Sequence, residues 1–261
     1  MSDPETDVAA RFSSRETDAA DMRAIQEFLD EGLITEVLNV VKSGKEATVY
    51  RCRSHRSLNT PFAAVKVYHS TGHRSFQRAA VYEEGRDFGP GQVRRAVAKH
   101  TRFGKQAQLA FWVDHEFELL SSLNYAGADV PAPYACTEKA ILMEFLGDES
   151  GDSPQLQYAD LEPAEAAELF ERALWNIELL MRENVVHGDL SAFNILYHER
   201  QLRIIDFPQA IDPRQNTNAK KLLQRDIANV LQYFSRHGVG TECAADRMAN
   251  DLWNLWRYGE L

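Results

Sequence analysis

The ten residues from Val185 to Asn194, V-V-H-G-D-L-S-A-F-N, constrain the fold of this chain more than any other segment. A long apolar stripe at helical spacing runs through Pro163–Arg182 just before them. Two short apolar strands, Ile195–Tyr197 and Leu202–Ile205, follow and are joined by four polar residues. Because an amphipathic helix and a hairpin both bury their apolar faces, they hold the intervening loop at both ends. The pattern predicts an ordered loop with polar side chains in fixed positions.

The polar residues of this loop have the spacing H-x-D-L-x-x-x-N, which is the spacing of a kinase catalytic loop. Phosphoryl transfer needs a carboxylate near the attacking hydroxyl and an oxygen ligand for the metal that neutralises the phosphates. Asp189 and Asn194 supply these groups, and Asp206, at the end of the strand Leu202–Ile205, is well placed to bind Mg²⁺. The alternative is a surface loop, which the preceding helix and following hairpin disfavour.

A lysine in an apolar strand is the second candidate for this chemistry. Lys66 lies within the predicted strand Phe62–Tyr68, where it could reach solvent from an edge strand or hold the α- and β-phosphates of a nucleotide. The second role needs a carboxylate on a helix to fix the lysine. The predicted helix Gln108–Leu123 offers Asp114, Glu116 and Glu118, and spacing alone leaves the choice among them open.

The segment Ser43–Tyr50 joins two predicted strands, Val37–Val41 and Ala47–Cys52, and could cover nucleotide phosphates. It has a single glycine, so it contains neither G-x-G-x-x-G nor the Walker pattern. A plain hairpin turn explains it equally well.

Together these elements resemble the RIO family of atypical protein kinases in order and in motif. Ser43–Tyr50 is similar to the family's loop S-T-G-K-E-A-x-V-Y, except that Lys42-Ser43 stands where the family usually has Ser-Thr. Four further segments resemble its helix, hinge, catalytic loop and metal-binding motifs, and its last helix is also matched: Trp112–Phe117, Leu142–Gly147, His187–Ser191, Ile204–Ala210, and Arg225-Asp226 with Asn229-Val230.

The resemblance implies an α+β, bilobal protein-kinase-like fold, with a small twisted antiparallel sheet lobe and a mainly helical lobe. It is closer to the branch without an N-terminal winged helix. It implies that ATP lies between the lobes, with Mg²⁺ held by Asn194 and Asp206 and with Asp189 as the base. Lys66 would hold phosphates and pair with Glu116. The other expected nucleotide contacts are Ser43, Gly44, Lys45, Met143, Glu144 and Leu146, with backbone groups of the last two meeting the adenine.

The same resemblance implies that the chain consists of a tail and two lobes. We expect residues 1–20 to be a disordered tail, residues 21–147 to form the N-terminal lobe with a mobile insertion at about 69–104, and residues 148–261 to form the C-terminal lobe. Only about a dozen residues separate Asp206 from a predicted helix at Ala219, and no A-P-E follows. An ordinary activation segment therefore does not fit.

These features predict a RIO-like serine/threonine protein kinase that phosphorylates itself or hydrolyses ATP, and that is poor at phosphorylating generic peptides. In RIO kinases the metal-binding aspartate can itself carry phosphate, which makes Asp206 the candidate here. Ser13, Ser14 and Thr17 are candidate self-phosphorylation sites on a flexible arm. Two alternatives remain: a small-molecule phosphotransferase of the aminoglycoside or choline kinase type, and an ATP-gated factor that acts on a ribosomal precursor.

Composition excludes several other classes of protein. The net charge of −10 argues against general nucleic-acid binding, and the lack of an 18-residue apolar run argues against a membrane span. Cys52, Cys136 and Cys243 are far apart and predict reduced thiols, which favours a cytoplasmic protein. His69 and His73 have a zinc-like spacing, but the residues between them predict a loop, so we expect no metal there.

Overall fold

The fold is taken from a computed structural model that describes residues 14–69, 95, 97, 99, 101–242 and 244–261. Most of the predicted insertion lies outside these residues, as do Ser13, His73 and Cys243. Within the described residues, no group of His, Cys, Asp and Glu is arranged to hold a metal ion. None of the helices described there combines the length and the hydrophobicity that a bilayer crossing needs.

The first lobe is built on a five-stranded antiparallel sheet with the order β1-β2-β3-β5-β4. The third strand lies at its centre and is buried on both faces, as its run of apolar residues predicts. The strands are β1 (Ile34–Ser43), β2 (Ala47–Ser54), β3 (Phe62–Tyr68), β4 (Pro133–Cys136) and β5 (Ala140–Glu144).

A helix covers each face of this sheet. Helix α1 (Ser14–Asp30) packs Ile25 and Phe28 against the face that carries Val65. Helix α2 (Arg102–Tyr125) packs Leu109 and Val113 against the opposite face. Since side chains alternate along a strand, odd-numbered residues of β3 face α1 and even-numbered residues face α2. The two faces therefore serve different purposes, and Lys66 lies on the α2 side.

The second lobe is mainly helical and has its own apolar core. Helix α3 (Pro163–Arg182) and helix α4 (Ala219–Phe234) pack against a hairpin of β8 (Ile195–His198) and β9 (Gln201–Ile204). Helix α5 (Ala245–Tyr258) packs on α4. The loop 185–194 joins α3 to β8, so the core of this lobe fixes both of its ends. The bilobal α+β fold expected from the sequence is confirmed.

The connection between the lobes is more ordered than a linker. Residues 147–160 contain a small hairpin of β6 (Gly147–Asp148) and β7 (Gly151–Asp152), followed by a 3₁₀ turn at Leu156–Tyr158. Gly147 has a φ of +149°, and a Cβ there would lie 2.2 Å from the Gly151 carbonyl oxygen. Only glycine fits this position, so the chain leaves β5 along a fixed path.

Helix α1 begins before the start that we expected for the first lobe. It begins at Ser14, so residues 14–20, which we expected to belong to a disordered tail, are helical. Several of them, including Arg15, Glu16 and Ala19, have high helix propensity, which extends the helix beyond its apolar stripe. Ser14 and Thr17 thus belong to a helix rather than to the flexible arm that we expected.

Other boundaries also differ. Helix α2 begins at Arg102, capped by Thr101, so the predicted insertion ends earlier than residue 104. Strand β5 ends at Glu144, before the hinge residues Phe145 and Leu146. Pro133 starts the edge strand β4, because an edge position tolerates the missing N–H. The division of the chain into lobes at residues 147 and 148 stays a prediction.

Candidate active site

The site begins with a lysine that the central strand directs between the lobes. Ala64, Lys66 and Tyr68 are alternate residues of β3 and all three line a cleft. Lys66 is buried in a strand whose other residues are apolar or aromatic. Its ammonium lies 5.0 Å from the centroid of the Tyr68 ring. A charge in such a position needs partners, because burial of an unpaired ion is costly.

Helix α2 supplies one partner. Its buried residues include Leu109, Val113, Glu116 and Leu120, so Glu116 lies on the stripe that packs against the sheet. Lys66 Nζ donates to Glu116 Oε1 at 2.8 Å. The structure thus selects Glu116 over Asp114 and Glu118, as the resemblance implied. Burial opposes the charge on Lys66, but the carboxylates outweigh it and raise the pKa of Lys66 well above its usual value.

Asp206 supplies the other partner from the second lobe. It lies two residues after the end of β9 and adopts a left-handed φ of 71°, which is uncommon for a residue other than glycine. Lys66 Nζ donates to Asp206 Oδ1 at 2.9 Å. The charge of Lys66 is the main reason that the pKa of Asp206 is lowered. Lys66 therefore bridges the two lobes through two carboxylates.

The loop 185–194 brings the remaining predicted residues together. Asn194 Nδ2 donates to the Asp189 carbonyl oxygen at 2.9 Å and lies 3.5 Å from Asp189 Oδ2. Burial raises the pKa of Asp189 above its usual value, an effect that the charge of Arg225 opposes and that of Asp206 increases. The Ile205 N–H donates to the Asn194 carbonyl at 2.9 Å, which ties this loop to the segment that carries Asp206.

His187 has a structural part in this loop that sequence reasoning did not assign. Its Nδ1 accepts from the Asp189 N–H at 3.3 Å, and its Nε2 lies 3.2 Å from the Ile205 carbonyl oxygen. A carbonyl only accepts, so Nε2 carries the proton and the ring is neutral. Burial lowers the pKa of His187 to about 4, in agreement with that form. The centroid of its ring also lies 4.7 Å from that of the Phe207 ring, with the two rings tilted by 51°.

Asp226 was noted in the sequence only as part of a motif, yet it organises the whole loop. It is buried on α4, where its carboxylate accepts the Gly188 N–H at 2.7 Å and the Leu190 N–H at 3.0 Å. The neighbouring Arg225 donates to the Gly188 carbonyl. Burial raises the pKa of Asp226 to about 7, against the two backbone hydrogen bonds. A carboxylate within the apolar stripe of a predicted helix was the sequence signal for this role.

The cleft between the lobes has a volume of about 700 Å³. Its apolar lining includes Val49, Ala64, Met143 and Leu196, and the paired charges of Lys66, Glu116 and Asp206 also line it. Among the predicted contacts, Gly44, Lys45, Met143, Glu144 and Leu146 line this cleft.

Three predicted residues do not line it: Ser43, Asp189 and Asn194. The Ser43 hydroxyl lies 3.2 Å from Thr48 Oγ1, which in turn lies 3.0 Å from His69 Nε2. The Ser43 hydroxyl is thus within hydrogen-bonding distance of Thr48, and Ser43 does not line the cleft.

The hinge offers a limited set of backbone groups. The Glu144 N–H donates to the Ala132 carbonyl at 2.8 Å, and the Leu146 carbonyl accepts from the Ser153 N–H at 2.9 Å. The Glu144 carbonyl and the Leu146 N–H are thus the groups of these residues that could meet an adenine. An apolar cleft whose lining also offers one backbone acceptor, one backbone donor and the Lys66 ammonium has groups that a nucleoside triphosphate can use. The carboxylate of Asp206 and the amide of Asn194 have the oxygen ligands that Mg²⁺ prefers.

Comparison with known proteins gives the family. A family model described as the RIO domain matches residues 48–248. The chain is 30% identical over 224 residues to the RIO-type serine/threonine-protein kinase Rio2 of Methanocaldococcus jannaschii, covering 85% of this chain and 76% of that protein. It is 29% identical over 225 residues to the RIO-type serine/threonine-protein kinase Rio1 of Haloferax volcanii, covering 86% and 72%.

Similarity to longer eukaryotic proteins covers only part of them. The chain is 27% identical over 214 residues to the serine/threonine-protein kinase rio1 of Schizosaccharomyces pombe, covering 81% of this chain and 41% of that protein. The match falls on the described elements that carry Lys66, Glu116, Asp189 and Asp206, since the RIO domain spans them all. This chain belongs to the RIO domain family.

Proposed function

We propose that this protein is an ATP- and Mg²⁺-dependent phosphotransferase, a RIO-type serine/threonine protein kinase that acts mainly on itself or on water. The observation that carries the proposal is Lys66, which reaches Glu116 at 2.8 Å and Asp206 at 2.9 Å. A lysine fixed between a helix carboxylate and a metal-binding aspartate is the arrangement that phosphoryl transfer requires. The names of the relatives, all of them protein kinases, support the same activity.

Each residue then has a defined task. Lys66 holds the α- and β-phosphates, while Glu144 and Leu146 hold the adenine through their backbone. Bound Mg²⁺ would neutralise phosphate charge, and Asp206 and Asn194 would hold it. Asp189 orients the attacking hydroxyl and accepts its proton. Its raised pKa suits that task, because a base is most effective when its pKa approaches the working pH.

Asp206 is the proposed phosphate acceptor when no hydroxyl substrate is present. Its Oδ1 is bonded to Lys66, which leaves Oδ2 to attack the terminal phosphorus. A carboxylate–phosphorus bond would form as the bond to the β,γ-bridging oxygen breaks, and ADP would leave. Water would then attack the acyl phosphate and release inorganic phosphate, which restores the carboxylate.

The segment after Asp206 supports a narrow substrate range. It runs for about a dozen residues to α4, and Phe207, Ala210 and Ile211 are buried in the core of the second lobe. The Ile211 N–H donates to the Val186 carbonyl at 2.9 Å, so the segment packs against the loop that carries Asp189. A segment held in this way is a poor platform for an extended peptide. Since ATP and reduced thiols occur in the cytoplasm, our proposal also includes a cytoplasmic location.

The test uses purified protein with γ-labelled ATP and Mg²⁺. The labelled protein is divided into two samples, one treated with acid and the other with hydroxylamine. Hydroxylamine cleaves acyl phosphates, whereas phosphoserine and phosphothreonine resist it. We expect label on the protein, with the hydroxylamine-sensitive part absent from Asp206→Asn. Rapid labelling of casein and basic proteins at equal enzyme concentration would contradict the narrow substrate range. A wild-type protein that gains no label and releases no phosphate would contradict the proposed function.

A further inference from the structure

An arginine of the first lobe's sheet contacts residues 145–148, which we call the hinge segment. Arg51 lies on β2, on the same face as Val49, which lines the cleft. Its guanidinium lies 3.7 Å from the centroid of the Phe62 ring and 5.0 Å from that of the Phe145 ring. Arg51 Nη2 also donates to the Asp148 carbonyl oxygen at 2.8 Å. One side chain of the sheet therefore contacts the hinge segment at both of its ends.

These contacts hold the hinge segment on both sides of Leu146. The rings of Phe62 and Phe145 meet edge to face with their centroids 6.0 Å apart, so the residue before Leu146 is anchored on the sheet. The residue two places after Leu146 accepts the guanidinium hydrogen bond. The Leu146 carbonyl itself accepts from the Ser153 N–H at 2.9 Å. The direction of the Leu146 N–H is therefore set by three separate contacts.

The surroundings of Arg51 differ from those of the next arginine on the same face of β2. Arg53 is exposed, lies 6.0 Å from the centroid of the Phe62 ring and pairs with Glu36 at 3.4 Å. By contrast, Arg51 Nε is buried and has no hydrogen-bond partner among the residues that the structure describes. A buried donor without a partner is destabilising, so its presence calls for an explanation. The contacts of Arg51 with the hinge segment provide one.

The backbone groups beside these contacts match one kind of base. The Glu144 carbonyl accepts a hydrogen bond and the Leu146 N–H donates one. Adenine presents an amino donor beside a ring-nitrogen acceptor, whereas guanine presents a carbonyl acceptor beside an N–H donor. Guanine would therefore leave polar groups of the cleft unpaired, and a site with such groups rejects the mismatched ligand. This discrimination requires that the hinge segment keeps its position.

We propose that Arg51 is a positioning residue for base selection, which holds the hinge segment so that the cleft takes adenine nucleotides in preference to guanine nucleotides. The inference rests on the proposed function, because it concerns the same cleft. It goes beyond that function because Arg51 does not line the cleft and acts through Phe145 and Asp148.

Removal of the guanidinium should alter the contacts with the base and leave those with the phosphates unchanged. Lys66 is held by Glu116 and Asp206, and none of these three residues depends on the hinge segment for its hydrogen bonds. Misalignment of the backbone hydrogen bonds to adenine should weaken an adenine nucleotide by about three- to tenfold. Guanine does not match these groups, so the affinity for a guanine nucleotide should change by less than about twofold.

The experiment measures, by calorimetry with Mg²⁺ present, the Kd values of the non-hydrolysable β,γ-imido analogues of ATP and GTP. A Kd too weak for direct titration is taken from competition with the other analogue. The variants are Arg51→Met, which keeps a long apolar side chain beside the two rings, Arg51→Lys, which keeps a cation and a donor, and the matched control Arg53→Met. Thermal unfolding establishes that each variant is folded, and Arg51→Lys supplies the test if Arg51→Met does not fold.

We expect Arg51→Met to lower the ratio of the GTP-analogue Kd to the ATP-analogue Kd by about three- to tenfold, through weaker binding of the ATP analogue. Arg51→Lys should give a ratio between that of Arg51→Met and that of wild type, because it retains one donor. Arg53→Met should match wild type.

Three results would overturn the inference and leave the proposed function intact. The first is an equal weakening of both analogues by Arg51→Met, which would indicate a general structural role. The second is an unchanged Kd for the ATP analogue in that variant, and the third is a wild-type protein that binds both analogues equally well. A wild-type protein that binds neither analogue would overturn the proposed function and this inference together.

Discussion

Replacement of Lys66 by methionine should destabilise the protein as well as inactivate it. The side chains of Lys66 and Glu116 are only 11% and 4% exposed, so the substitution leaves the Glu116 carboxylate buried without its counter-charge. Breaking a buried pair in this way costs about 3–5 kcal/mol. Asp206 adds little to that figure, because its side chain is 46% exposed and can be solvated. The free energy of unfolding should therefore fall by about 3–5 kcal/mol in urea titrations followed by circular dichroism.

A second variant separates this stability effect from catalysis. Lys66→Met combined with Glu116→Gln removes both charges, and replacement of a whole buried pair is often close to neutral. The double variant should regain most of the lost stability and remain inactive, while Lys139→Met, at an exposed lysine, should match wild type. If Lys66→Met alone unfolds within about 1 kcal/mol of wild type, the buried pair is not the constraint that we infer.

Three further predictions concern the loop and its support. Asp189→Ala should lower phosphate transfer by about 10²–10⁴-fold without changing the thermal midpoint, and near wild-type turnover would exclude Asp189 as the base. Asp226→Ala leaves the N–H groups of Gly188 and Leu190 without their acceptor, so the free energy of unfolding in urea should fall by about 2–6 kcal/mol. A smaller fall would mean that water replaces the carboxylate as acceptor. The pKa of Asp226 rises from 3.8 to about 7 on folding, so its contribution to stability is fully present below pH 3.8 and is lost as pH rises toward 7. Wild type should thus lose stability relative to Asp226→Asn across that interval, and a constant difference would contradict the raised pKa.

Elements with a clear pattern of apolar residues were predictable from the sequence. Strand β3 (Phe62–Tyr68) and helix α3 (Pro163–Arg182) have the boundaries that were predicted. The first is a short apolar run, and the second combines an apolar stripe with a proline in its first turn. Both are buried deeply enough for their patterns to be unambiguous.

Helix α5 was not predicted from the sequence, and the physical reason for this failure is that the helix is weakly buried. Only Ala249 of its residues is buried, and Trp253 and Trp256 are packed at the edge of the core. A half-exposed helix carries a diluted apolar pattern, and Asn250, Asp251 and Asn254 have low helix propensity. Tertiary contact with α4 decides its structure, and a single sequence does not show that contact.

The candidate site also has some residues that were predictable from the sequence and others that were not. Motif spacing predicted Lys66, Asp189, Asn194 and Asp206 as site residues, because kinase chemistry needs those groups in that order along the chain. Spacing could not choose Glu116 among three carboxylates, since that choice depends on how α2 packs on the sheet. Nor could it assign Asp226 to its two backbone donors, because they lie 36 and 38 residues away in sequence.

The most direct test of the central claim is the initial rate of ADP formation from ATP and Mg²⁺ by the purified protein. The comparison variants are Asp206→Asn, which removes a charge at the site, and Asp160→Asn, which removes an exposed charge outside the cleft. We predict that wild type and Asp160→Asn form ADP at equal rates, and that Asp206→Asn is slower by at least about 10²-fold. Equal rates in all three proteins, or no ADP formed by wild type, would contradict the assignment of this cleft as a phosphotransferase site.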